Sequence, residues 1–155
     1  MRTSIRAALV APLLLLLAGC SPIVALEPAA DATNPDCAAV IVRLPDTVGD
    51  LDRRETNAQG TGAWGDPADV RLYCGVPTPD PTSQLRCIEL GGVDWLIDDS
   101  KAPDAFAVSY GRTPAVQVFM TGDAASGVVL KDLGDAVSVL PKTGACISPD
   151  DATAN

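Results

Sequence analysis

Val70-Arg71-Leu72-Tyr73-Cys74, followed by Gly75 to Ser83 with prolines at 77, 79 and 81, sets a strand against a long turn. Val70, Leu72 and Cys74 face one way and Arg71 and Tyr73 the other, the period of a half-buried strand. Proline lacks the amide hydrogen a ladder needs, so the run after Cys74 cannot extend a sheet interior. Outward from this stretch the same grammar repeats. Arg86 to Leu90 reads as a strand and Gly91-Gly92 as a turn or bulge. Val93, Trp95 and Ile97 then alternate with Asp94, Leu96 and Asp98, and Phe106, Val108 and Tyr110 mark another strand. Gly111-Arg112-Thr113-Pro114 breaks it. Ala115 to Met120 is a strand apolar on both faces save for Gln117.

Helices flank these strands. Asn34 is placed to cap, Pro35 suits the first helical position, and Asp36 favours the positive end of the dipole. Cys37, Val40, Ile41 and Leu44 form one apolar face, which Pro45 ends. Leu130, Leu133, Val137 and Leu140 define a second helix, with Ser126 in a capping position and Pro141 beyond it. Asp46 to Gly62 is polar and irregular, and Ala63 to Pro67 reads as a tight loop. The expected fold is α+β: an antiparallel four- or five-stranded meander, with an N-terminal and a C-terminal helix packed on one face, stapled by disulfides.

The first twenty residues follow a different logic. Arg2 and Arg6 precede an apolar run from Ala7 to Ala18, closed by Leu17-Ala18-Gly19-Cys20. A basic start, a short apolar run and a small-residue exit describe a secretory signal peptide. The cysteine at the exit makes it the lipoprotein type, with cleavage before Cys20 and a diacylglyceryl group on its thiol. The run rises about 18 Å as a helix, short of the roughly 20 residues that span a bilayer. The expected division is residues 1–19 as signal peptide, 20–36 as a lipid-anchored flexible tether, 37–146 as one globular domain and 147–155 as a disordered tail.

The precursor carries 11 basic and 20 acidic residues, a formal net charge of −9. Loss of Arg2 and Arg6 with the signal leaves nine basic against 20 acidic residues, a net −11. Nucleic acid is excluded as a partner, since its binding rests on Lys and Arg neutralising phosphates. Of five cysteines, lipidation takes Cys20 and leaves Cys37, Cys74, Cys87 and Cys146. An exported location permits disulfides, and four cysteines allow three connectivities. The preferred pairing is Cys74 with Cys87 across the proline-rich turn and Cys37 with Cys146 joining the domain ends. With no CxxC pair and no histidine, neither a metal nor another cofactor is expected.

The absence of histidine also removes the commonest general base. No Gly-x-Ser-x-Gly elbow or Ser-x-x-Lys pattern appears. Paired carboxylates such as Asp66 with Asp94 are the resource left for catalysis, as in a glycosidase. Trp64 and Trp95 read as core rather than as stacking platforms. The scarce cations are more informative. Arg54 and Arg112 each sit beside turn residues and an aromatic block. Arg54, Arg112, Trp64 and Tyr110 are expected to lie close together, with Asp66 or Asp94 as partners. Such a group is either a structural ion-pair cluster or a clamp for a carboxylate or phosphate ligand.

The blocks Leu44-Pro45, Arg53-Arg54, Ala63-Trp64-Gly65-Asp66-Pro67, Cys74-Gly75-Val76, Val93-Asp94-Trp95 and Tyr110-Gly111-Arg112-x-Pro114-Ala115-Val116 occur in this order. In these the chain resembles the actinobacterial lipoproteins of the domain-of-unknown-function 3515 family, over about Cys37 to Cys146. The resemblance implies an envelope location and brings no catalytic residues with it. The resulting expectation is a non-enzymatic binding or interaction module, anchored by lipid on the extracytoplasmic face of the membrane. Its partner would be another envelope protein or a small anionic envelope component. The alternative is a hydrolase acting on cell-wall material through paired carboxylates.

Overall fold

The structure is a computed structural model that describes residues 22–80, 84–122, 124 and 126–147. The expected signal peptide at residues 1–19, the expected lipidation site Cys20 and the expected tail beyond residue 147 lie outside them. The elements are α1 (Pro35–Ile41), β1 (Thr47–Val48), β2 (Leu51–Arg54), β3 (Thr61–Trp64), β4 (Val70–Val76), β5 (Arg86–Leu90), β6 (Val93–Lys101), β7 (Asp104–Ser109), β8 (Ala115–Met120) and α2 (Ser126–Val137). The strands form one antiparallel sheet in the order β1-β2-β3-β4-β8-β7-β6-β5.

The α+β class is as expected, but the four- or five-stranded meander is not. Three further strands arise in the stretch read as irregular. They are short, and β3 is buried at all four positions, so no alternation marks it. The order also departs from a meander. The proline-rich connection carries the chain from β4 to the far edge, where β5 begins, and β8 returns inward to pair with β4. Two four-stranded meanders therefore meet at a β4–β8 seam. A central place suits β8, whose Val116, Val118 and Met120 are buried on the core side.

Both helices cover one face of the sheet. Cys37 and Val40 of α1 and Val129, Leu130, Leu133 and Val137 of α2 share a core with Leu72, Trp95 and Val118. Each fully buried aliphatic side chain there stabilises the fold by about 1.5–3 kcal/mol. Asn34 caps α1, its side chain accepting from the Asp36 amide at 3.0 Å. Arg53 closes the other end by donating to Leu44 O at 3.0 Å and Ile41 O at 3.4 Å. Helix α2 presses on the β5–β6 turn at Gly134, where any Cβ would overlap the Gly91 carbonyl.

The disulfides join Cys37 to Cys74 and Cys87 to Cys146. The expected pairs, Cys74 with Cys87 and Cys37 with Cys146, are overturned by the strand order. Four inter-strand steps separate β4 from β5. That is about 19 Å, well beyond the roughly 7 Å limit between bridged Cα atoms. Cys74 instead points into the core beside α1. Cys87 lies opposite Leu96, on the face away from the helices, and the segment after α2 reaches it there.

The expected flexible tether is also corrected for its described part, residues 22–36. Val24 makes a parallel bridge to Thr56, its amide donating to Glu55 O at 2.9 Å and its carbonyl accepting from Asn57 at 3.3 Å. The Leu26 amide donates to Asn57 Oδ1 at 2.7 Å. The Asp31 amide donates to Gly75 O at 3.0 Å. Gly75 has a φ of +94°, and a Cβ there would collide with the Asp31 backbone.

Candidate functional site

Arg54, at the end of β2, holds three things at once. Nη1 donates to Gly65 O at 2.9 Å and lies 3.1 Å from Asp66 Oδ1, while Nη2 donates to Pro22 O at 2.8 Å. Its side chain is 9% exposed, whereas Asp66 is 79% exposed. A cavity of about 690 Å³ lies between α1 and this strand end, lined in part by Ile41, Val42, Arg53, Arg54 and Thr61.

Arg112, on the β7–β8 turn, is buried and works differently. Nη1 donates to Ser138 O at 2.8 Å and to Leu140 O, and Nη2 to Gly92 O at 3.1 Å. It thereby closes the C-terminal end of α2, where unpaired carbonyls and the dipole favour a cation. Asp94 pairs with Lys142 at 3.4 Å, and the Asp94 carbonyl accepts from the Tyr110 amide at 2.7 Å. Trp64 and Trp95 are both fully buried, and their indoles donate to Pro45 O and Leu90 O.

Arg54, Arg112, Trp64 and Tyr110 therefore do not form one cluster. The edge of β2 and the end of β7 are four inter-strand steps apart, about 19 Å. Asp66 goes with Arg54, as the sequence suggested. Asp94 goes with Lys142, and Arg112 takes carbonyl oxygens rather than a carboxylate.

The arrangement with spare chemistry lies on the sheet face opposite the helices. Arg71, Phe119, Phe106 and Asp98 stand in cross-strand register on β4, β8, β7 and β6. The Arg71 guanidinium lies 6.0 Å from the Phe119 ring centroid. Tyr73 meets that ring edge-on at 5.8 Å, and Phe106 packs on it at 5.8 Å. Arg71 Nε is buried without an acceptor, and among the described residues no carboxylate lies within ion-pair distance of Arg71. A hollow of about 230 Å³ opens beside it, bounded by Lys101, Asp104, Phe106, Phe119 and Thr121. The Ser100 hydroxyl and amide hold the Asp98 carboxyl below the usual carboxylate range. Sequence reasoning passed over Arg71. The available signal was the alternation that puts Arg71 and Tyr73 on the face away from Val70, Leu72 and Cys74.

Among the described residues no helix is long and apolar enough to cross a membrane. Among them, too, no group of acidic or cysteine side chains is placed to hold a metal ion. A family model described as "Protein of unknown function (DUF3515)" matches residues 8–144. No curated protein and no solved structure matches the chain.

Proposed function

We propose a role for this chain, which belongs to the DUF3515 family, as an extracytoplasmic, lipid-anchored protein whose domain is a binding module of the cell envelope. The leader and the Leu17-Ala18-Gly19-Cys20 exit support the anchor. The observation that carries the binding role is the open sheet face, where Arg71 lies over Phe119 with no carboxylate partner among the described residues. A guanidinium held against aromatic rings and left with free donors suits an acidic group on an otherwise apolar or planar body. Such a group can be carried by another envelope protein or by a small anionic envelope component.

The hydrolytic alternative finds less support in this hollow. A glycosidase needs one carboxylic acid whose pKa is raised so that it can donate a proton. Asp98, at the rim, is shifted downward and suits an acceptor.

The test is a photo-crosslinking residue placed at Phe106 of the full chain in intact cells. A discrete captured partner, lost when Arg71→Ala is added, supports the reading. Capture that is unchanged by Arg71→Ala, or equal from a probe at the exposed Val139 just beyond α2, overturns it.

A further inference from the structure

The end of the chain nearest the anchor is fastened to the domain, and it carries an apolar side chain turned outward. Pro22 is held by Arg54, Val24 by Glu55 and Asn57, and Leu26 by Asn57. Between Pro22 and Val24, Ile23 is 64% exposed. Only Ser21 separates Pro22 from Cys20. Three extended residues span at most about 11 Å, so the Ile23 Cα lies within that distance of the anchoring Cα whatever path the chain takes. The polar layer on each side of a bilayer is roughly 5–7 Å deep.

Resting on the lipoprotein reading above, we propose that the surface carrying Pro22, Ile23 and Arg54 is a membrane-contact face. Ile23 enters the headgroup layer, and the domain stands on the bilayer at a set height and orientation. The occupant of this face is lipid. The argument is one of chain length and fastening. A tether that was free from residue 21 to 36 would hold the domain away from the surface at a random-coil reach of roughly 20 Å. The hydrogen bonds at residues 22 to 26 remove that slack and leave two peptide units between lipid and fold. An isoleucine exposed at this point gains by entering the boundary between headgroups and acyl chains. Arg54 acts here as a positioning residue, since its bond to the Pro22 carbonyl is nearest the anchor.

The experiment uses the acylated full-length protein carrying Ile23→Trp, in phosphatidylcholine–phosphatidylglycerol vesicles. Trp64 and Trp95 are fully buried and contribute a background that neither quencher reaches. The added emission should be lost to lipids with a shallow doxyl label and resist aqueous iodide. A second form inserts about ten Gly/Ser residues between Ser21 and Pro22, a reach of roughly 18 Å. It leaves the fold intact, and its added emission should become open to iodide and escape the lipid quencher. An acylated, vesicle-bound protein quenched by iodide and not by lipid overturns the contact face, as does an insertion that changes nothing. Protein recovered from cells that carries no acyl group at Cys20 overturns the lipoprotein reading itself, and the contact face with it.

Discussion

Arg112 on the β7–β8 turn donates to the carbonyl of Leu140, three residues beyond the end of α2, and the same nitrogen also serves Ser138 at 2.8 Å. One side chain thus fixes the exit of the last helix, while its second nitrogen reaches Gly92 at 3.1 Å and ties that exit to the β5–β6 turn.

Arg112→Ala is expected to destabilise the domain by about 3 kcal/mol or more, because hydrogen bonds from a charged donor contribute about 1.5–3 kcal/mol each. Arg112→Lys should recover little of this, as a single ammonium cannot span three carbonyls in a planar fork. Urea unfolding decides it. A loss under about 1 kcal/mol for Arg112→Ala would remove the structural assignment.

Arg71→Ala should behave in the opposite way. Its contact with Phe119 accounts for only about 0.5–1 kcal/mol at a partly exposed site. The variant should fold with nearly unchanged stability and lose the crosslinked partner. A large drop in unfolding midpoint would instead make Arg71 a structural residue.

Each disulfide should contribute similarly. The loops close over sequence separations of 37 and 59 residues. The chain-entropy relation gives about 4 kcal/mol for either. Non-reducing peptide mapping should yield Cys37–Cys74 and Cys87–Cys146 peptides. Paired serine substitutions, compared by denaturant unfolding, test the near-equality.

Gly134→Ala should destabilise the domain although alanine is the better helix former. The added methyl overlaps the Gly91 carbonyl, and overpacking of this kind costs about 1–3 kcal/mol. A raised Tm would show that α2 can move off the turn without loss.

Asp98 should titrate below the ordinary aspartate range in a carbon-detected NMR titration. Its folded pKa is lowered by Ser100, so its contribution to stability is present above the unfolded pKa and fades as pH falls through the folded one. Ser100→Ala should return the carboxyl toward its usual value.

Alternation made β4, β6 and β7 visible, because each has one face on the core and one away from it, and β8 was visible as an apolar run broken only by Gln117. The N-cap at Asn34 and both buried tryptophans were equally plain. β1 to β3 escaped because two to four residues carry no measurable period, and β3 is buried all round. The β4–β8 pairing escaped for a different reason: it joins strands some forty residues apart, and nothing local specifies it. That missed pairing misplaced the cysteines and merged two arginines into one imagined site. The Arg54–Asp66 pair was legible since both residues flank one short turn-bearing segment, whereas Lys142 reaches Asp94 only through the fold.

The seam between the meanders has a temporal meaning. Cys37–Cys74 closes within the first four-stranded half, and Cys87–Cys146 within the second half and its trailing segment. Neither bond crosses from one half to the other. For a chain delivered amino end first through a translocation pore, the thiol that follows Cys37 is its partner Cys74, and the thiol that follows Cys87 is its partner Cys146. An oxidant that joins cysteines in order of arrival therefore makes the correct bonds at once, and the first half can be locked before the second has left the pore. Such a protein has no need of an isomerase to undo its mistakes.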